Sequence, residues 1–220
     1  SPEDLPAAST VSPLKRSLQT FIYTVGLLVL PPLNLLPIFP AFYFFDRVDE
    51  AVNITDSTLY MLSIPLYAWP ASIAMVLFTV MFIVVLRWVV MPFKTKEGVY
   101  SVHSWFYVRK WVVSFATELT LDTLSSLYAT LYMRTWYRLM GAKIGKDSEI
   151  SASLSGRFDL VEIGDKCFVA DEVTVADEEV RRGWIHLKKV RTGSRVFLGN
   201  SGVGLAGDAF DAEIVRNLVS

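Results

Sequence analysis

One cysteine, Cys167, stands in 220 residues. A lone thiol cannot close a disulfide within the chain, so no cystine framework holds this fold. The two histidines, His103 and His186, leave the chain without the donors for a cysteine-only zinc site and poorly supplied for a histidine-rich one. Charge is also sparse. Asp, Glu, Lys and Arg make up 20% of the residues and nearly cancel, leaving −1 at pH 7. No overall basic field draws in nucleic acid, and none is expected as a partner. A P-loop, the dinucleotide-binding glycine fingerprint and a Ser-His-Asp spacing are all missing. The first ten residues hold Glu3 and Asp4 and no base, unlike a signal peptide. The opening Ser1-Pro2-Glu3 is expected of a piece of a longer protein or of a processed form.

What abounds is apolar side chain: 52% of residues, with a mean hydropathy of +0.39. That is too high for disorder and for an average soluble domain. The excess is concentrated. Residues 17–45 contain no charge, and neither do residues 57–86. About 20 helical residues cross a bilayer core, so both runs are long enough. Pro65 and Pro70 predict a kink in the second run. Pro31, Pro32, Pro37 and Pro40, with Asn34 among them, make the first either a kinked span or a re-entrant hairpin. Lys15 and Arg16 precede the first run, and Arg87, Lys94, Lys96, Arg109 and Lys110 follow the second. The loop 46–56 between them is acidic. Given two crossings, the positive-inside rule places both ends on the cytoplasmic side and the loop outside.

Residues 100–111 interleave aromatic and basic side chains, a composition that suits the headgroup level beside a membrane segment and makes His103 an interfacial residue. Further on, Ser114, Glu118, Asp122, Ser125 and Ser126 share one helical face, while Phe115, Leu119, Leu121, Leu124, Tyr128 and Leu131 lie mostly on the other. This predicts an amphipathic helix on the membrane surface or against the other helices. An acidic pair lining a substrate path is the functional alternative.

From about Gly141 a six-residue period takes over. Ile144 and Ile150 are six apart, as are Ile163, Val169 and Val175, and later Thr192, Leu198 and Gly204. Two residues before them stand Val161, Cys167, Val173, Val190 and Val196, with Gly202 before Gly204; glycine follows at 145, 164, 193 and 199. This period predicts a parallel β-helix with an inward aliphatic ladder, on which Cys167 is a small buried hydrophobe. Breaks at residues 151–160 and 176–189 predict projecting loops. The expected organisation is therefore a cytoplasmic segment 1–16, two membrane segments over 17–91, an interfacial and amphipathic region 92–140, a repeat domain 141–204 and a tail 205–220. The fold class is a membrane helical hairpin plus amphipathic helix, then a short left-handed parallel β-helix of the trimeric hexapeptide-repeat type.

Several segments are familiar. They are Tyr128-Ala-Thr-Leu-Tyr132, Trp136-Tyr-Arg-Leu-Met-Gly-Ala-Lys-Ile-Gly145, Asp159-Leu-Val-Glu-Ile-Gly-Asp-Lys-Cys-Phe-Val-Ala-Asp-Glu172, Val180-Arg-Arg-Gly183 and Val190-Arg-Thr-Gly-Ser-Arg-Val-Phe-Leu-Gly-Asn-Ser201. Over residues 92–201 the chain resembles the membrane region of nonribosomal peptide synthetases of the ε-poly-lysine synthetase type. After Ser201 it departs from that pattern. The resemblance implies amide (isopeptide) bond formation from aminoacyl thioesters. The chain itself would bind no cofactor; a separate carrier domain, charged by an adenylation domain, would bring the thioester on phosphopantetheine. Partners would be those domains, the lipid bilayer, and a second copy or tandem repeat domains. The alternatives are a non-catalytic membrane-docking module and a transferase using a coenzyme A thioester.

Such a transferase must deprotonate an amine and stabilise an oxyanion. His186 is the candidate base, since histidine exchanges protons near neutral pH and this one lies in an insertion. Asn200 is the candidate oxyanion donor. Asp177, Glu178 or Glu179 can orient the base or bind a substrate ammonium. Arg181 and Arg182 suit a carrier phosphate. Asp159, Asp171 and Glu172 are candidate polar contacts on the surface of the repeat. Ordinary packing or solvated charge is the competing reading for each.

Overall fold

The computed structural model describes residues 11–123, 131–151, 158–170, 173–175, 179–199, 203–204 and 209–210. Three long helices come first: α1 (Pro13–Leu33), α2 (Ile38–Val52) and α3 (Ser57–Val90). Pro13 opens α1 at a position where its missing N–H costs nothing. Pro31 and Pro32 weaken its end, and a turn through Asn34 leads into α2. Asn53, with φ 46°, closes α2 in the left-handed conformation asparagine tolerates. Asp56 caps α3, its Oδ1 accepting from the N–H groups of Thr58 and Leu59 at 2.9 Å each.

Two stretches, Pro13–Val52 and Ser57–Val90, are long and apolar enough to cross a membrane, and only 17% of each apolar window is buried. The core helix of a soluble protein would be mostly buried. Here Leu28, Leu66, Trp69 and Val89 are exposed.

A short strand, β1 (Gly98–Ser101), leads to α4 (Trp105–Thr123), which packs on both α1 and α3. It runs parallel to α1. Gln19 Nε2 donates to the His103 carbonyl at 2.8 Å, Tyr23 meets Trp111 edge-on at 4.9 Å, and Asn34 Nδ2 donates to the Leu119 carbonyl at 3.1 Å. Thr120 Oγ1 also donates to Asn34 Oδ1 at 3.0 Å. Close approach needs Gly26, where a Cβ would stand 2.8 Å from the Trp111 ring. Of the two expected placements for this segment, packing against the other helices is the one formed. Glu118 is exposed; the Asp122 side chain and residues 124–130 lie outside the description.

The helix α5 (Leu131–Met140) joins the halves. Met133, Trp136, Tyr137 and Met140 are buried in one core with Leu30, Ile83 and Ala116 on the helical side and Ile144, Ile150 and Phe158 on the strand side. The strands are β2 (Lys143–Ile144), β3 (Glu149–Ile150), β4 (Val161–Ile163), β5 (Phe168–Val169), β6 (Thr174–Val175), β7 (Glu179–Arg181), β8 (Trp184–Leu187), β9 (Val190–Thr192), β10 (Phe197–Leu198), β11 (Val203–Gly204) and β12 (Ala209–Phe210). They form parallel sheets ordered β12-β9-β4-β2, β10-β5-β3 and β11-β6, and an antiparallel sheet β1-β8-β7.

The expected left-handed parallel β-helix is overturned. Helix predominates, the strands make small separate sheets, and no closed or solenoid sheet forms among the described residues. The reason is local. The parallel strands are only two or three residues long, and the break at 176–189 folds into an antiparallel hairpin joined by β1. What survives of the period is its register. Ile144 pairs with Ile163, Val169 with both Ile150 and Leu198, and Val175 with Gly204. The residues two positions earlier, Val161, Cys167, Val173, Val190 and Val196, are all buried.

Candidate functional site

The hairpin of β7 and β8 holds the candidate base. Its two-residue turn is Arg182-Gly183, with φ 48° and 82°. Two successive positive φ angles match the twist of paired strands, and glycine at the second position makes the turn inexpensive. Arg181 and Arg182 are exposed at this tip. The other edge of β8 pairs with β1, Val99 opposite His186, and the Val102 N–H donates to the Gly183 carbonyl at 3.0 Å. Ile185 and Leu187 are buried with Leu160, and Tyr100, Phe106 and Tyr107 pack against them.

His186 lies between those two apolar residues in β8 and is itself buried, 7% exposed. Its Nε2 has no hydrogen-bond partner among the described residues. Leaving such an atom unmet costs about 1–3 kcal/mol, so the exceptions call for an explanation. The backbone of Glu179 stands opposite His186 across the hairpin. Of the other candidates, Asp171, Glu172, Asp177, Glu178 and Asn200 lie outside the described residues.

Asp159 is described, and its surface role is corrected. Its carboxylate is buried against Arg87, with the two side chains 3% and 4% exposed. Arg87 Nη2 meets Asp159 Oδ2 at 2.5 Å, Nε donates to the Met140 carbonyl at 2.8 Å, and Nη1 donates to the Met91 carbonyl at 2.5 Å. The Thr95 N–H adds a bond to Asp159 Oδ2 at 2.9 Å. Asp159 is thus a clamp between the last turn of α3 and the strand half. A Cβ at Gly141, which has φ 118°, would run into this carboxylate. Sequence reasoning took Arg87 as a flanking positive charge. Its partner is 72 residues away, and no local pattern links the two.

A second arrangement lies across the sheet of β2, β4 and β9. Glu162 faces Lys143 at 2.7 Å, Lys189 at 2.6 Å and Arg191 at 3.1 Å. The hydrogen bond from Lys143, then that from Lys189, pulls its carboxyl down to about 2. An open groove of about 640 Å³ runs here, lined in part by Arg138, Gly145, Gly164 and Thr192. His186 is not among its lining residues.

No family model matches the chain, and no solved structure does. Over 202 residues it is 37% identical to the delta-poly-L-ornithine synthetase of Acinetobacter baumannii (strain AB307-0294), an overlap covering 90% of this chain. This likeness supports a poly-amino-acid synthetase-related family. The chain spans 15% of that synthetase. The likeness fits a place in amino-acid polymer synthesis.

Proposed function

We propose that this chain is the membrane-embedded, amide-forming unit of a poly-amino-acid synthetase. One observation carries the reading: 90% of the chain aligns with a poly-ornithine synthetase at 37% identity. The two long apolar stretches, of whose windows only 17% is buried, support a place in the bilayer. The charge distribution supports a cytoplasmic strand half.

The chemistry is aminoacyl transfer. An acceptor amine attacks the carbonyl of a carrier-bound thioester, the C–N bond forms as the C–S bond breaks, and the thiol leaves with a proton. His186 Nε2 takes the ammonium proton, a role its missing hydrogen-bond partner supports. Asn200 donates to the oxyanion. Arg181 and Arg182 meet the carrier, and Asp171, Glu172, Asp177 and Glu178 receive substrate ammonium groups. Asp159, held in its clamp, is not part of this set. The deep burial of His186 favours a second reading, a docking module without chemistry of its own.

The test uses the whole synthetase in nanodiscs, with polymer read by mass spectrometry. His186→Gln, which keeps size and polarity, should lower polymer output by about 10²–10⁴-fold with the circular dichroism spectrum unchanged. Full output from the folded variant would leave the docking reading.

A further inference from the structure

The groove across β2, β4 and β9 has no role in the reading above. Gly145 and Gly164 are among the residues that line it. They stack at one corner of the strand half, where a Cβ at Gly145 would run into Gly164 and one at Gly164 into Gly193. Its rim is a row set by parallel register: Lys143 opposite Glu162, and Glu162 opposite Arg191. Lys189 shares the same carboxylate, and Arg138 stands at the near end. Arg138 donates to the carbonyls of Ile144 and Gly145, which fixes its guanidinium in place. Asp165 is close to the glycine corner, but its Oδ1 already accepts from the Lys146 N–H at 2.6 Å.

Three cations therefore meet one carboxylate, and Arg138 adds a fourth positive charge along the groove. Lys143 and Arg191 are 69% and 63% exposed, so a ligand can reach them. The volume, about 640 Å³, lies in the range of small-molecule sites. An open trough with a cationic rim suits an extended chain ending in an anion. It repels a polycation, so the amine-bearing polymer is the wrong occupant. Of the two substrates in the proposed reaction, the donor carries the phosphate.

We infer that this groove binds the phosphate end of the phosphopantetheine arm that delivers the aminoacyl thioester, with Arg191 and Lys143 as its contacts. The inference rests on the proposed function and adds a donor site distinct from His186. Arg191 supplies the planar fork that suits a phosphate, and Lys143 a point charge.

The experiment uses the full synthetase in phosphatidylcholine nanodiscs, with 4′-phosphopantetheine, pantetheine and inorganic phosphate as calorimetric probes. Phosphopantetheine should bind at least 10-fold more tightly than either of the others. Arg191→Gln and Arg191→Glu should each remove that advantage while leaving pantetheine unchanged, and Arg191→Lys should restore part of it. In the polymer assay, KM for the charged carrier should rise with kcat held. Equal affinity for phosphopantetheine and pantetheine would overturn the inference, as would an Arg191→Glu variant that binds like the parent. Loss of probe binding in phosphatidylglycerol nanodiscs would assign the cations to lipid headgroups and overturn it too. The two readings fail separately. Full polymer output from His186→Gln with phosphate-dependent binding intact removes only the catalytic role, and the converse removes only the groove.

Discussion

Residues 13–123 and residues 131–210 bury their apolar side chains against different surroundings. In the first region α1 and α3 turn Phe21, Leu28, Leu66, Trp69, Leu77 and Val89 outward. In the second, the aliphatic residues of the strands point inward, and an outer row carries Lys143, Glu162 and Arg191. The strand half covers itself by stacking short strands. The helical half leaves an extended apolar surface uncovered, of the kind that marks membrane or partner contact. Each region is unfinished without its neighbour, since α5 supplies core to the strands and is itself closed off by Ile83 and Ala116.

The comparison breaks most severely at the clamp. Arg87→Ala strands the Asp159 carboxylate in the interior, and removing one partner of a buried pair costs about 3–5 kcal/mol. Hydrogen exchange should show the strand half losing protection while the centre of α3 keeps it. Equal loss in both would make the molecule a single cooperative unit. Next, Met140→Ala should cost about 2–5 kcal/mol because the side chain is fully buried, whereas Leu66→Ala should stay within about 0.5 kcal/mol in detergent. Thermal unfolding of the pair measures the contrast, and similar losses would mean that Leu66 meets protein. The smallest effect is on acid sensitivity. The Glu162 carboxyl, held near 2, lies below its ordinary value, so its contribution to folding is complete above about pH 4.5 and is lost as pH falls through about 2. Glu162→Gln should flatten the fall in melting temperature across that window without altering the midpoint's dependence on pH near neutrality.

Much of the helical half was legible because two runs without charge admit few other readings. The break between α1 and α2 was legible from Pro31, Pro32 and Pro37. The six-residue period marks residues that become neighbours: Ile150, Val169 and Leu198 stand side by side. It was over-read as a fold, because periodicity reports neighbours along strands and cannot report how an interrupting segment pairs. The segment 176–189 closes on itself and on β1, and β1 precedes the hairpin by some 80 residues of sequence. Asp159 was misplaced for the same reason, since its environment is set by Arg87 and Thr95, which lie far upstream. His186 was a candidate because histidine exchanges protons near neutral pH and this one lies in an insertion. Its burial was not foreseeable, because the strand that covers it is equally remote. The cations around Glu162 were invisible as a group, being spread from Lys143 to Arg191.

The 34 residues of α3 extend about 51 Å, against about 30 Å for a bilayer core. Near its end, Arg87 is tied to the Met140 carbonyl and the Trp88 Nε1–H to the Leu139 carbonyl at 2.8 Å each, so α5 moves with it. Set across a bilayer, such a helix would be a gauge as well as an anchor, its depth setting the height of β2 and of everything stacked on β2. One residue added before Arg87 would lift that platform by about 1.5 Å and turn the guanidinium by about 100°, away from its carboxylate. Height and azimuth are therefore coupled, and the strand half can move along the axis of α3 only by releasing the ion pair that holds it.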